Sequence, residues 1–215
     1  MIEWRSKRLR ATLAPLSFID PAQPVRADKP PPGADWIHEI KHDGFRLQIH
    51  KRGKMVKLYT MTGVDWTKRY PWIVEGALDL KTDHAIIDAE AVVADDAGVT
   101  VFDRMVERVH DASVFAYAFD LMAVDGADIC ALPIEERKAW LAKLIPRRKL
   151  GLGVKLNEHL PGDGALVFAH ACKLGLEGIV SKRVDAPYRS GRARAWIKVK
   201  NKKAPAFLRV QEGTF

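Results

Sequence analysis

Directly after the turn dipeptide Asp43-Gly44, the residues Phe45, Leu47 and Ile49 alternate with Arg46, Gln48 and His50. Alternation with a period of two is the pattern of a strand that buries one face and leaves polar side chains on the other. The chain must therefore hold a sheet whose edge turns at Asp43-Gly44, with Glu39 and Lys41 just before the corner and the apolar pair Trp36 and Ile37 ahead of them. In water a lysine keeps its proton to about pH 10.4, so a site that uses the amine as a nucleophile has to desolvate it or crowd it with other cations. Taken alone, the stretch reads equally well as an ordinary hairpin corner.

Further strand-like alternation runs over Lys54 to Tyr59, Ala85 to Ala94, Val114 to Asp120, Gly178 to Lys182 and Ala195 to Lys200. Helical patterns fill the gaps: Thr67 to Leu80, the short Asp103 to His110, Pro133 to Ile145 with Trp140, Leu141, Leu144 and Ile145 on one side, and Asp163 to Leu174 stopped by Gly175. Residues 1–35, with prolines at 15, 21, 24, 30, 31 and 32, read as an irregular, extended lead-in. Mixed strands with helices laid against them indicate one α+β domain, and 215 residues at 47% hydrophobic content suffice for its core.

A formal charge of +8 suits a polyanionic partner, nucleic acid before an acidic membrane surface. The start, Met1-Ile2-Glu3-Trp4-Arg5-Ser6-Lys7-Arg8, lacks the apolar core of a secretory signal, and no apolar run reaches membrane-spanning length. The expectation is a cytoplasmic protein. Cys130 and Cys172, in apolar surroundings and without zinc spacing, read as reduced core residues.

Five segments follow in a fixed order: Lys41-His42-Asp43-Gly44-Phe45-Arg46, Ile87-Asp88-Ala89-Glu90-Ala91-Val92-Val93, Tyr117-Ala118-Phe119-Asp120-Leu121, Glu177-Gly178-Ile179-Val180-Ser181-Lys182-Arg183 and Trp196-Ile197-Lys198-Val199-Lys200. The first resembles the Lys-x-Asp-Gly-x-Arg attachment motif of the covalent nucleotidyltransferases, and the set resembles the adenylation domain of ATP-dependent DNA ligases. With Pro187-Tyr188-Arg189-Ser190-Gly191-Arg192 between the last two, the wording is most similar to bacterial end-joining ligases. The resemblance implies an ATP-grasp-like DNA ligase/mRNA capping enzyme catalytic domain, two antiparallel sheets flanked by helices with nucleotide between them, over residues 36–203.

By that resemblance Lys41 is the nucleophile that attacks ATP and stores AMP as a phosphoramidate. Lys198 and Lys200, two apart on a strand, project from one face toward a common ligand, and the family's Lys-x-Lys makes that ligand the phosphates. A Mg2+ or Mn2+ ion is implied, with Glu90 and Glu177 as its oxygen ligands. An unpaired carboxylate in the apolar run around Glu90 would be costly, so it should meet a cation, a metal or a ribose hydroxyl, and Asp88 two residues away adds weight to a paired-carboxylate site. Phe119 takes the family's base-stacking place, Glu39 resembles the residue near the adenine amino group, and Arg46 would hold phosphate or ribose.

Between Lys182 and Lys203 nine basic residues face one acid, Asp185. After the pocket lysines are set aside, Lys182, Arg183, Arg189, Arg192 and Arg194 form the expected DNA backbone grip, which carries no sequence readout. The expected activity is transfer of AMP to a 5′-phosphate at a nick or break, for sealing in DNA repair. Two departures stand out: Met61 occupies a place where the family usually has arginine, and Ala89 one where glycine is usual. A further OB-fold domain would follow Lys200, whereas the tail 204–215 is too short for a five-stranded barrel, so a separate OB-fold or end-joining protein is the expected completing partner, with no membrane. Alternatives are an RNA ligase or capping-type enzyme, and a weakly active or non-catalytic nucleic-acid-binding module of a split ligase.

Overall fold

The alternation after Gly44 builds strand β3 (Phe45–Arg52), and its apolar residues Leu47 and Ile49 are fully buried. The computed structural model describes residues 17–95, 98–146 and 153–212. Residues 1–16 of the expected lead-in and 213–215 of the tail lie outside this set. Strand β3 pairs with β4 (Met55–Thr60) on one side and β5 (His84–Val92) on the other, followed by β6 (Phe115–Val124) and the short β7 (Ala127–Asp128). Strand β8 (Val154–Leu156) adds to β6 in parallel and completes a six-stranded sheet.

The second sheet runs in the order β1 (Ala22–Arg26), β11 (Gly191–Lys200), β10 (Gly178–Arg183), β2 (Trp36–Ile40), β9 (His159–Pro161). Its pairs are antiparallel apart from β1 with β11. Helix α1 (Pro71–Leu78) and helix α3 (Ile134–Leu144) cover the outer face of the six-stranded sheet, where Ile73, Leu141 and Leu144 pack on Leu47, Ile49, Ile87 and Leu121. Helix α4 (Gly164–Lys173) sets Val167 and Ala171 against Ile179 and Val199 of the other sheet. The inner faces meet at one end through Ile86, Met122, Tyr188 and Trp196, which leaves a cleft beyond this plug. The segment β8–β9 crosses from one sheet to the other.

Several boundaries differ from the sequence expectation. The lead-in contributes β1, an edge strand whose register shifts between Pro24 and Val25; proline is tolerated there because an edge position lacks a ladder partner for its missing N–H. Helix α1 starts at Pro71 rather than Thr67, because Thr67 is held in a turn by the Asp65 carboxylate (2.8 Å to Thr67 N), and proline suits the first helical position. The pattern after Asp103 gives only α2 (Asp103–Val106) and a separate turn at Asp111–Ser113. Helix α4 begins where Asp163 accepts a hydrogen bond from Ala165 N (2.8 Å) and ends before Gly175, as its sequence signals direct. The tail contains helix α5 (Pro205–Glu212). Cys130 and Cys172 are free and half-buried rather than fully in the core. No helix among the described residues is long and apolar enough to cross a membrane.

Candidate active site

The cleft, about 280 Å³, takes residues from both sheets. Lys41 sits just past β2, with its N–H donating to Gly178 O (3.0 Å). The following corner lies flat on β5, where a Cβ at Gly44 would collide with the Ala91 carbonyl. This close approach brings the end of β2 beside Glu90. On the other side of Lys41, Gly178 adopts φ +145° and leaves no room for a Cβ against Val199 O, which seats Glu177 over the lysine pair of β11.

Lys41 Nζ lies 2.6 Å from Glu177 Oε2, and Lys200 Nζ lies 3.0 Å from Oε1 of the same carboxylate. Burial opposes the charge on Lys41, but the Glu177 and Glu90 carboxylates outweigh it and hold the ammonium above its ordinary pKa. The sequence expectation of an amine depressed by crowding is therefore not met at Lys41. The depression falls on Lys198 instead, through burial first and then the cations Lys41 and Lys200. Glu90 is half-buried, makes no salt bridge within 4 Å among the described residues, and is pushed up to about 7, by desolvation first and with Glu177 and Asp88 adding to it.

At the other end Glu39, 2% exposed, is gripped by two ammoniums: Lys138 at 2.6 Å and Lys182 at 2.8 Å. Burial alone would raise this carboxyl, yet the two lysines hold it below the usual range. Phe119 lines the same end, edge-on to Trp196, with Lys182 Nζ 4.6 Å from its centroid and the Arg46 guanidinium at 5.4 Å. Arg46 is itself held by Asp88 (2.9 and 2.6 Å) and by Ala22 O (2.5 Å), so three of its N–H groups are engaged.

Of the residues singled out from sequence, Glu39, Lys41, Arg46, Glu90, Phe119 and Lys198 line the cleft, and Glu177 bridges Lys41 to Lys200. Lys182, expected in the DNA backbone grip, is 1% exposed inside the cleft, because it falls on the inward side of β10 and is drawn to Glu39. Asp88 does not join Glu90 as a second open carboxylate; Arg46 and the Tyr188 hydroxyl (2.7 Å) occupy its oxygens. Met61 stands 48% exposed at the lip of the cleft.

Arg189, Arg192 and Arg194 are exposed around a groove that also includes Trp36 and Pro187, and none of the three forms an ion pair among the described residues. Arg183 at this groove is forked onto Asp185 (2.8 and 2.6 Å). Sequence reasoning missed Lys138, Asn157 and His42. For Lys138 a signal existed: with Arg137 it falls on the same stripe of α3 as Leu141, and a basic residue on an apolar stripe needs a buried partner.

A family model described as the ATP dependent DNA ligase domain matches residues 29–200. The multifunctional non-homologous end joining DNA repair protein LigD of Mycobacterium tuberculosis is 38% identical over 169 residues, 78% of this chain and 22% of that protein. A probable DNA ligase of Streptomyces avermitilis is 39% identical over 182 residues, 75% of this chain and 34% of its own length. The chain thus spans about a fifth to a third of these curated relatives. Among solved structures, mycobacterial DNA ligase D complexed with ATP and MES superposes with a TM-score of 0.67 at 33% identity, covering 83% of this chain and 60% of that one. With the motif order, the two facing sheets and these similarities in agreement, the chain belongs to the ATP-dependent DNA ligase family and corresponds to its adenylation domain.

Proposed function

We propose that this domain forms a covalent lysyl-AMP at Lys41 and passes the AMP to a 5′-phosphate at a nick or break in DNA, so that a 3′-hydroxyl can close the phosphodiester. In the first step the Lys41 ammonium loses one proton to become the amine; Nζ then forms a bond to the α-phosphorus of ATP as the bond to pyrophosphate breaks, and a second proton is released from Nζ to solvent as the phosphoramidate forms. The observation that carries this reading is Lys41 Nζ set 2.6 Å from the Glu177 carboxylate on a cleft that also holds Lys198. Glu177 Oε2 is the nearest acceptor for the first of these protons. Lys198 and Lys200 offset the phosphate charge, Phe119 offers a face to the base, and Glu39 with its two lysines presents polar groups to the base edge. Arg46 retains two N–H groups for the ribose or a phosphate.

A divalent cation fits the donors present. Glu90 points a carboxyl without a salt bridge into the cleft, and Glu177 supplies a second hard oxygen donor. Among the described residues no group of three or more acidic, His or Cys side chains is assembled, so the remaining ligands would be phosphate oxygens and water. Glu90 and Glu177 would hold such an ion, which would supply neutralisation of the phosphate charge. The unpaired arginines 189, 192 and 194 fit a DNA backbone grip, and the free cysteines fit a reducing cytoplasm.

Two nicked duplexes test the proposal, one with a 5′-phosphate supplied with ATP and magnesium, the other carrying a 5′-adenylate. Sealing of the first by the native chain, lost in Lys41→Ala, together with sealing of the second by both proteins, is the expected result. Sealing of the first duplex by Lys41→Ala would overturn it.

A further inference from the structure

Asn157 lies where the chain leaves β8 in one sheet and approaches β9 in the other, and it is buried in the cleft wall. Its side-chain Nδ2 donates to Ile40 O (3.2 Å), the carbonyl immediately before the nucleophile. Its Oδ1 lies 3.1 Å from Nε2 of His42, the residue immediately after. Because the amide nitrogen is committed to Ile40, Oδ1 can only accept, so the proton of the His42 ring is on Nε2. Burial drives that imidazole down to about 4, more than the Asn157 bond lifts it, and the ring stacks flat on Tyr117 at 3.9 Å and 8°.

The backbone of Asn157 is pinned as well. Its N–H donates to Ala118 O (2.7 Å) in the six-stranded sheet, and its carbonyl accepts from Lys138 Nζ (2.8 Å), the same ammonium that holds Glu39 Oε1. One asparagine and one lysine thus fix residues 39, 40 and 42, while Lys41 alone in this run keeps a side chain bound only to the groups of the phosphate end. A buried amide spends two hydrogen bonds on the flanks of one residue, and it reaches them from a segment tied to both sheets.

We propose that Asn157 is a positioning residue for the Lys41 nucleophile, holding the main chain on both sides of it through Ile40 and the Nε2–H tautomer of His42. This inference rests on the lysyl-AMP reading. Since Asn157 fixes a reacting atom's approach rather than the affinity for nucleotide, its loss should fall on the rate at saturating ATP; a misplacement of the order of 1 Å costs roughly 100-fold. The His42 ring acts as a neutral N–H donor, so a side chain that restores an N–H at that point should substitute for it.

The test is single-turnover formation of labelled enzyme from α-labelled ATP over a range of ATP concentrations, with thermal unfolding and the 15N spectrum of the His42 ring followed in parallel. Asn157→Ala should lower the saturating rate by about 10- to 100-fold with the half-saturating ATP concentration changed by less than about threefold. In that variant His42 should lose its single tautomer. His42→Gln should retain most of the rate, and His42→Phe, which keeps the stack without the donor, should lose it. A native saturating rate in Asn157→Ala, an effect confined to half-saturation, or equal rates in His42→Gln and His42→Phe would overturn the proposal. A native chain that takes no label at Lys41 would instead remove the lysyl-AMP reading on which it stands.

Discussion

The two ends of the cleft handle buried charge in opposite ways. At the end holding Phe119, one carboxylate faces two lysines, all three side chains are at most 2% exposed, and every group has a close partner. At the end holding Lys41, Glu177 is shared by two lysines that are each 23% exposed, Glu90 has no salt bridge within 4 Å among the described residues, and Lys198 is left crowded by like charge. A closed arrangement resists rearrangement, since breaking any pair strands a charge away from water. An open one can exchange partners at lower cost, since its groups reach solvent. The fold therefore places a closed charge cluster and an open one on the same pair of sheets; under the proposed function the first would face the base and the second the phosphates.

The strongest way to break this comparison is through stability. Glu39→Ala should cost about 3–5 kcal/mol, because it leaves two ammoniums buried without their counter-charge. Glu177→Gln should cost about 1 kcal/mol or less, because the lysines it frees reach solvent. Urea unfolding measures both, and equal losses would erase the distinction between the two ends.

Next in size is a pH effect confined to the open end. The Glu90 carboxyl titrates near 7 in the folded chain against an ordinary value of 4.5. Between those values the folded state holds a proton that the unfolded state has released, so the stability contributed by Glu90 is complete below about 4.5 and is lost as pH rises through about 7. Glu90→Gln lacks that dependence. It should match the native chain at pH 4.5 and exceed it in thermal midpoint at pH 8; a difference that does not vary with pH would contradict the assignment.

A smaller effect concerns the amine itself. With Glu177→Gln the largest carboxylate influence on Lys41 disappears, and its pKa should fall. The pH profile of Lys41 acylation by an amine-reactive probe should then move to lower pH, and an unmoved profile would mean that Glu177 does not set the charge state. The smallest effects belong to the groove outside the cleft. Arg192→Ala and Arg194→Ala should each weaken DNA binding regardless of sequence and reduce the slope of log affinity against log salt by about 1, with an unchanged slope excluding that arginine from phosphate contact.

The long strands, the order of the motifs and the presence of Lys41 at the cleft were legible in the sequence because period-two burial and short local motifs leave a local trace. Strand β1 was not, since Pro24 interrupts its alternation and its pairing comes from β11 at the far end of the chain. Strands β8 and β9, three residues each, are too short to show a period. The location of Lys182 was lost in the density of neighbouring bases, which is the same whether a lysine points to solvent or into the cleft. The direction of the Lys41 shift was illegible for a plainer reason: it is decided by Glu177, 136 residues away, and by Glu90 across the sheets.

The central claim is that Lys41 carries the AMP. Incubation of the native chain with magnesium and α-labelled ATP, followed by denaturing electrophoresis and peptide mapping, addresses it directly. An acid-labile, base-stable label on the peptide containing Lys41, weak or absent with GTP and lost in Lys41→Ala, is the predicted result. Label persisting in Lys41→Ala, or mapping to another lysine such as the depressed Lys198, would contradict it.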